Sequence, residues 1–342
     1  MQRAVLVGCG SMARGWLKAL ESPELAGRVE VVGLVDIDRA AAEKLRDEFH
    51  LSSAATGSDL DAMLAVSRAD MLFDIVIPSA RRDVVLTGLR HGCHVLTEKP
   101  MAASLAEARE LVAAAKAAGR VHAVVQNRRY IPGVRAIRGI IESGALGDLT
   151  ALHADFFIGA HFGGFRDLMQ NVLLLDMAIH TFDAARFMAG RNAEAVYCLE
   201  TNPKGSWYTH GAAANAIFEL EDGLVFNYRG SWAAEGANTS WESMWRIIGT
   251  RGTLLWDGAE RFEAHVVAGT EGFHRPLADL EVLPAANDKQ THGHASVIAE
   301  FVDAIESGRT PETVGSDNIK SLAMVFGAIE SARTGARVKV QE

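Results

Sequence analysis

Residues 4–13 read AVLVGCGSMA. The first four are apolar and predict a buried strand, and the next six form the pattern G-x-G-x-x-A that opens a helix. The glycines allow a tight turn and a close approach of the backbone to a pyrophosphate, while the helix N-terminus offers N–H groups to the phosphates. This stretch therefore predicts a strand–turn–helix unit that binds a dinucleotide.

An acidic residue follows at the distance that this motif requires. The apolar run Val31–Val35 reads as a second strand and leads into Asp36, 26 residues after Gly10, close to the usual spacing of about 20. A carboxylate at that point accepts hydrogen bonds from both ribose hydroxyls and repels a 2′-phosphate. Asp36 therefore favours NAD over NADP, while the nearby Arg39 keeps NADP possible.

Short apolar runs alternate with helical stretches over the first third of the chain. The helices Asp38–Phe49 and Ser104–Ala118 begin at capping residues, and the second ends at Gly119. The runs are rich in Val or Ile, as strands covered on both faces should be; they are Ala4–Val7, Val29–Val35, Phe73–Ile77, His94–Leu96 and Val121–Val125. This alternation predicts an α/β domain over residues 1–124, with a Rossmann-type doubly wound parallel sheet.

The pattern changes after about residue 125. A long helix is predicted at Val172–Ala189, and the step Asp222-Gly223 predicts a tight hairpin. Longer, alternating strands are predicted at Ala213–Leu220, Leu224–Trp232, Met244–Gly249 and Thr253–Asp257, and closing helices at Ala295–Ser307 and Ser316–Thr334. We therefore expect residues 125–342 to form a C-terminal α+β domain with a large, mostly antiparallel sheet.

Composition excludes several classes of protein. The chain has 342 residues, with 34 Lys plus Arg against 43 Asp plus Glu, and a net charge of −9. It has no basic block for nucleic acid, and no apolar run approaches the ~18 residues of a membrane helix. Three scattered cysteines predict neither a disulfide framework nor a metal site. The first residues pass directly into a strand, so we expect a cytoplasmic protein without a secretory signal.

The predicted helix Val172–Ala189 carries ionisable residues on an otherwise apolar surface. Asp176, His180 and Asp183 stand at i, i+4 and i+7 and share one face. Three interpretations are open from the helix alone. They are a buried Asp–His pair that satisfies itself, a metal site, and an acid–base pair in which the carboxylate orients the imidazole.

A second candidate segment, Glu98-Lys99-Pro100, favours the acid–base interpretation. It follows the predicted strand His94–Leu96, so it lies at the carboxyl edge of the parallel sheet, where doubly wound folds bind ligands. A lysine fixed there by the following proline can place an ammonium group beside a substrate oxygen.

These motifs, in this order, resemble the glucose–fructose oxidoreductase / inositol dehydrogenase (Gfo/Idh/MocA) family over essentially the whole chain. The resemblance implies an open-faced sheet in the second domain and self-association as a homodimer or homotetramer. It also implies hydride transfer between NAD(P) and a hydroxyl or carbonyl carbon of a sugar, cyclitol or related polyol. The matching pieces are GCGSMA at 8–13, Asp36, EKP at 98–100, NRRY at 127–130, ESGALGDL at 142–149 and D-x-x-x-H at 176–180.

The resemblance also assigns roles to individual residues. The catalytic trio would be Lys99, Asp176 and His180, and no metal is implied. The substrate would be contacted by Lys99, Arg129, Tyr130, Asp176 and His180, with Arg128 as an equally basic alternative to Arg129. His161 is a further candidate from its own surroundings, because the glycine-rich segment Gly159–Gly164 predicts a mobile loop near the site. The cofactor would be contacted by Gly8, Gly10, Ser11, Met12, Ala13, Asp36, Ile77, Pro78, Ser79, Arg82, Glu98, Lys99 and Gln126.

The chain departs from the family pattern T-P-N-x-x-H in the loop after the fourth predicted strand. Ser79 stands where Asn is usual, and Arg82 stands where His is usual. The adjacent Arg81 and Arg82 either favour an anionic substrate or face solvent, and we expect them to face solvent.

A mechanism follows from the assigned trio. His180 takes the hydroxyl proton in the oxidising direction, Asp176 holds it or binds a neighbouring hydroxyl, and Lys99 stabilises the developing alkoxide. Whether Lys99 or His180 takes the proton stays open at this point.

Two alternatives to this function remain. One is an NAD-dependent hydrolase or lyase that oxidises a glycoside transiently, which net NADH production would distinguish. The other is a non-catalytic dinucleotide-binding regulator, which has no need of the trio.

Overall fold

The computed structural model describes residues 1–342 and divides the chain into two compact units. The first comprises Met1–Tyr130 and His292–Ile319, and the second comprises Ile131–Thr291 and Lys320–Glu342. The first unit thus extends beyond residue 124 and takes in a segment that returns from far along the chain. None of the helices combines the length and the apolar character that crossing a membrane requires.

Six parallel strands form the sheet of the first unit. They are β1 (Gln2–Val7), β2 (Val29–Val35), β3 (Ala55–Gly57), β4 (Met71–Asp74), β5 (His94–Thr97) and β6 (His122–Val124). Their order is β3-β2-β1-β4-β5-β6, the doubly wound order of dinucleotide-binding domains. The predicted Rossmann-type sheet is confirmed. The sequence pattern misses β3, because three residues that are not fully buried leave no apolar run.

Nine α-helices accompany the strands, and their caps follow the sequence. They are α1 (Ser11–Leu20), α2 (Arg39–Glu48), α3 (Leu60–Ser67), α4 (Pro78–Arg90), α5 (Leu105–Ala118), α6 (Pro132–Glu142), α7 (Ile179–Ala189), α8 (His294–Ser307) and α9 (Gly315–Thr334). Asp38 Oδ1 accepts from Ala40 N at 3.0 Å, and Ser104 Oγ accepts from Glu107 N at 3.2 Å. Each such cap stabilises its helix by about 1 kcal/mol.

Helix α8 completes the hydrophobic core of the first unit. Its buried residues Ile298 and Phe301 belong to the same cluster as Trp16 of α1 and Phe73 of β4. The rings of Trp16 and Phe73 lie 5.2 Å apart between centroids. Full burial of a side chain such as Phe301 contributes roughly 1.5–3 kcal/mol, so the returning segment is an integral part of this unit.

The second unit contains a nine-stranded sheet. Its strands are β7 (Leu149–Phe157), β8 (Ala193–Thr201), β9 (Ala213–Leu220), β10 (Val225–Ser231), β11 (Met244–Gly249), β12 (Gly252–Trp256), β13 (Phe262–Val267), β14 (Leu277–Asp279) and β15 (Val338–Lys339). The order is β14-β13-β12-β11-β7-β10-β9-β8-β15. All neighbours are antiparallel except β7 and β10, so the expected mostly antiparallel sheet is confirmed.

One face of this sheet packs against α7 and the other is open. Every residue of α7 is buried, and the ring of Phe182 meets Phe218 and Tyr228 edge-on at 4.7 and 5.1 Å. Strand β9 alternates between buried and exposed positions. The opposite face therefore presents exposed apolar side chains, among them Tyr197, Leu199, Ile217 and Met244.

Candidate active site

The turn between β1 and α1 has no room for a side chain at its first glycine. Gly8 has a φ of +93°, and a Cβ there would lie 2.7 Å from the carbonyl oxygen of Ile75. Gly10 caps α1 without a side-chain hydrogen bond, so the first N–H groups of α1 remain available to an anion. Ser11 and Met12 are exposed, and Ala13 is buried in the core.

Asp36 lies beside this turn at the end of β2. Its Oδ2 accepts from Cys9 N at 2.7 Å and its Oδ1 from Asp38 N at 2.9 Å. Burial, with a smaller contribution from the charge of Asp36, raises the pKa of the Cys9 thiol to about 12, so this cysteine is unreactive. Arg39 pairs with Glu43 at 2.9 Å.

The other predicted cofactor residues lie at the same sheet edge, because all six strands are parallel. They are Ile77, Pro78, Ser79 and Arg82 after β4, Glu98 and Lys99 after β5, and Gln126 after β6. Gln126 is fully buried, and neither atom of its amide has a hydrogen-bond partner. Such an orphaned amide calls for a partner that a polar ligand supplies.

Ile37, which the sequence did not single out, is 98% exposed at this edge and offers the apolar surface an adenine needs. These residues fit NAD.

The two neighbouring arginines of this loop have different surroundings. Arg82 is partly exposed and pairs with Glu110 at 2.5 Å. Arg81 is buried, its Nε donates to Asp74 Oδ2 at 3.0 Å, and its other nitrogens donate to the carbonyls of Val76 and Pro100. The expectation that both face solvent is therefore wrong for Arg81, which ties the loop after β4 to the segment that carries Lys99.

Glu98 is buried among polar partners. Its Oε1 accepts from Trp16 Nε1 at 2.7 Å and lies 3.4 Å from His294 Nε2, and its Oε2 accepts from Lys99 N at 3.2 Å. Burial raises the pKa of Glu98, but the hydrogen bonds from His294 and Trp16 and the charges of His294 and Lys99 outweigh burial and bring the pKa below its ordinary value. An ionised Glu98 therefore anchors the backbone at Lys99.

Arg129 and Tyr130 lie in the short 3-10 turn Asn127–Tyr130 and are buried. The guanidinium of Arg129 donates to Glu312 O at 2.8 Å and to Asp317 Oδ2 at 2.7 Å, both within the first unit. Both side chains are covered by other residues of the first unit. A substrate would touch Arg129 or Tyr130 only after those residues had moved away.

In the second unit, Asp176 lies in a π-helical turn. The predicted helix Val172–Ala189 is present, but Leu173–Ala178 is π-helical and only Ile179–Ala189 is α-helical. π-helical turns are frequent at functional sites. Asp176 Oδ2 accepts from Arg166 Nε at 2.6 Å, and His180, the second residue of α7, is buried.

Arg166 belongs to an aromatic loop before this helix. Its guanidinium lies 5.0 Å from the ring centre of Phe162 and 4.8 Å from that of Phe165. His161, from the same loop, is exposed, stacks on Trp207 at 3.6 Å, and has its Nε2 2.9 Å from Glu235 Oε1. The loop therefore sets a cation and several aromatic rings beside Asp176, a feature that residue spacing did not reveal.

Asp183, the third ionisable residue of the predicted face, has a structural role. It is fully buried and accepts from Ser321 Oγ at 2.6 Å. Ser321 in turn accepts from Arg186, which also donates to Asn192. A buried carboxylate with such partners stabilises the packing of α7.

Replacing Asp36 by Asn is expected to raise the dissociation constant of NAD about tenfold, because a charge-assisted hydrogen bond becomes a neutral one. The affinity for NADP should fall less, since repulsion of the 2′-phosphate is removed. Titration calorimetry with both dinucleotides measures the ratio. Asp38→Asn is the matched control, because Asn caps α2 as well as Asp does. An unchanged NAD/NADP ratio in Asp36→Asn would contradict the assignment.

Replacing Arg166 by Ala is expected to lower kcat/KM for the substrate about tenfold, because Asp176 loses the cation that fixes its carboxylate. The dissociation constant of NAD should not change. Arg191→Ala removes an ion pair of similar length at a more exposed place, Arg191 Nε to Asp222 Oδ2 at 2.7 Å, and serves as the control. Equal steady-state kinetics in the two variants would show that the ion pair between Arg166 and Asp176 does not contribute to turnover.

Comparisons with known proteins agree with the fold of both units. Residues 2–126 match a family model described as "Oxidoreductase family, NAD-binding Rossmann fold" (GFO_IDH_MocA). Residues 134–255 match the model of the "GFO/IDH/MocA C-terminal domain". The two models together cover most of the chain and both of its units.

Named relatives match over nearly the full length. The D-apiose dehydrogenase of Paraburkholderia graminis is 27% identical over 99% of this chain and 90% of its own. The 1,5-anhydro-D-fructose reductase of Ensifer adhaerens is 25% identical over 100% of this chain and 99% of its own. A crystal structure of an Agrobacterium radiobacter oxidoreductase with NAD+, L-tartaric acid and magnesium superposes with a TM-score of 0.86 at 22% identity, covering 99% of this chain and 98% of that one.

Proposed function

The chain belongs to the GFO/IDH/MocA family of NAD-binding oxidoreductases, and from that premise we propose that it is a dehydrogenase or reductase acting on a CH–OH group of a sugar, cyclitol or related polyol. The relatives named as sugar dehydrogenases and reductases support this substrate class. The observation that carries the proposal is the buried His180 one turn after the mostly covered Asp176, on a helix whose other buried charges, Asp183 and Arg186, are tied to Ser321. A protein that only bound a dinucleotide would have no need to bury these groups.

The proposed roles follow from the chemistry of the side chains. NAD, when bound, supplies the hydride acceptor or donor. His180 takes the hydroxyl proton during oxidation and returns it during reduction. Asp176, held by Arg166, accepts a hydrogen bond from the imidazole or from a neighbouring hydroxyl. Lys99 donates to the reacting oxygen, where negative charge develops. His161 is proposed as a further substrate contact.

The experiment that tests this function is a panel of aldoses, polyols, cyclitols and sugar acids with NAD and with NADP, followed by absorbance at 340 nm. We expect steady formation of NADH with at least one polyol or aldose. Product formation without net NADH would favour the hydrolase or lyase that oxidises a glycoside transiently. Tight NAD binding without turnover on any compound would favour the regulator.

We further propose that the chain forms a homodimer or homotetramer through the open face of its second sheet. The exposed Tyr197, Leu199, Ile217 and Met244, which lie among polar side chains of the same face, support this, because soluble monomers rarely leave large apolar side chains clustered at the surface. We also propose that the protein works in the cytoplasm. That compartment supplies NAD and keeps thiols reduced, and the three buried cysteines of this chain are free.

Replacing Ile217 by Arg is expected to dissociate the oligomer, because it exchanges an exposed apolar side chain on the open face of β9 for a longer, charged one. Multi-angle light scattering should show the mass of a single chain. Val66→Arg, at an exposed aliphatic position on α3 of the first unit, should leave the mass unchanged. An oligomer that survives Ile217→Arg would place the interface elsewhere.

A further inference from the structure

The returning segment places a histidine on the carboxylate beside Lys99. His294 is the first residue of α8, and its Nε2 lies 3.4 Å from Glu98 Oε1. Its Nδ1 lies 3.4 Å from Asn127 Nδ2. The side chain is 29% exposed, so protons from solvent reach the ring.

Glu98 connects this histidine to the lysine. One of its oxygens is shared by His294 and the indole N–H of Trp16, and the other receives the backbone N–H of Lys99. Trp16 is fully buried in the core, so it is a fixed point. The contact with His294 therefore helps to fix the position of Glu98. Through Glu98 it also helps to fix the backbone at Lys99.

We propose that His294 is a positioning residue for Lys99, acting through Glu98, and that protonation of its ring tightens this hold. The proposal rests on the proposed function, because it takes Lys99 as the group that acts on the substrate oxygen. Neutral His294 donates from Nε2 to Glu98 and accepts at Nδ1 from Asn127. Charged His294 donates from both nitrogens, and the amide of Asn127 can turn to present its oxygen. Both protonation states are thus accommodated.

The charges around the ring favour this coupling. Glu98 faces it from the segment after β5, with Lys99 next in the chain, and α1 presents the neutral Trp16. The 3-10 turn presents the neutral Asn127, followed in the chain by the basic Arg128 and by Arg129, which pairs with Asp317. The other acids of α8 are engaged farther along the helix. Glu300 pairs with Arg309, and Asp303 and Glu306 pair with Arg28.

Trp16 reports on this contact independently of activity. Its emission is isolated as the difference between the protein and its Trp16→Phe variant, recorded from pH 5 to pH 9. We expect this emission to change in one step as the ring of His294 gains or loses its proton, because Glu98 is hydrogen-bonded to both side chains. The titration should vanish in His294→Gln and persist in His292→Ala, an exposed histidine of the same segment. A titration that persists unchanged in His294→Gln would overturn the proposal.

Kinetics supply the second measurement. His294→Gln should lower kcat by between about tenfold and a hundredfold, as small misplacements of a reacting group do. KM and the dissociation constant of NAD should change little, and one ionisation should disappear from the pH profile of kcat. His294→Asn is a second variant of the same position. Its melting temperature, compared with that of the parent, shows whether a loss of kcat comes from a folding defect. Wild-type kcat at every pH in both variants would overturn the proposal.

The failure of this inference is distinguishable from failure of the proposed function. If Lys99→Met keeps full turnover, the catalytic role of Lys99 is wrong, and a positioning role for His294 falls with it. If Lys99→Met is inactive while His294→Gln matches the parent in both kinetics and emission, the function stands and the inference alone is wrong.

Discussion

Replacing Lys99 by Met is expected to lower kcat for the polyol by about a hundredfold to a thousandfold, the usual effect of removing one donor to a developing oxyanion. Methionine keeps the unbranched stem of the lysine side chain but lacks its ammonium group. Glu98 accepts from the backbone N–H of Lys99, so the substitution leaves this anchor in place. NAD binding, measured by calorimetry, should therefore be almost unchanged.

The effect should depend on the acidity of the alcohol. A substrate whose alkoxide is intrinsically more stable needs the ammonium less, so fluorinated analogues should lose less rate in Lys99→Met than the parent substrate. Small primary amines should partly restore Lys99→Ala. Lys116→Met, an exposed lysine near the end of α5, is the control. Loss of NAD affinity in Lys99→Met, with kcat unchanged, would assign Lys99 to cofactor binding instead.

The first unit could be predicted from the sequence because its signals are local. The turn at Gly8, the acid at Asp36 and the capping residues Asp38 and Ser104 each act within a few residues, and the structure places each of them in the predicted element. The hairpin at Asp222-Gly223 is of the same kind, since both residues have a positive φ. Local propensity and the fold agree at these points, as they do in foldable sequences.

The features that escaped prediction depend on contacts between distant parts of the chain. Trp16 and Glu98 are 82 residues apart, and His294 and Glu98 are 196 apart. Nothing in the neighbouring residues of His294 indicates that its segment returns to the first unit. Arg81 and Arg82 are adjacent and chemically alike, yet one is buried against Asp74 and the other is partly exposed. The difference between their surroundings arises from the packing of the folded unit and is not visible in the sequence.

The π-helical turn at Leu173–Ala178 is a third such case. An apolar run with Asp and His at i and i+4 reads equally as a continuous α-helix, and the sequence contains no proline or glycine between Asn171 and His180 that would mark the irregularity. Asn171, with φ of +50°, binds Glu200 through its amide at 2.5 Å. This contact from β8 holds the start of the segment that carries Asp176.

Replacing His180 by Gln is expected to lower kcat for oxidation by about a thousandfold, because general acid–base catalysis contributes about 10²–10⁴. Glutamine still forms hydrogen bonds but cannot take up the hydroxyl proton. The residual rate should rise with pH over the range in which the parent has reached its plateau, since hydroxide then replaces the missing base. Pre-steady-state absorbance at 340 nm measures this in a single turnover.

The pH dependence separates His180 from Lys99 as the proton acceptor. If His180 is the base, only His180→Gln shows the hydroxide-dependent rate, and Lys99→Met keeps the shape of the parent profile at a lower level. If Lys99 is the base, the two behaviours exchange. His265→Gln, at a partly exposed histidine on β13 of the same unit as His180, should match the parent in both rate and profile. Because the buried His180 lies one turn after a carboxylate that Arg166 already neutralises, we expect the first outcome.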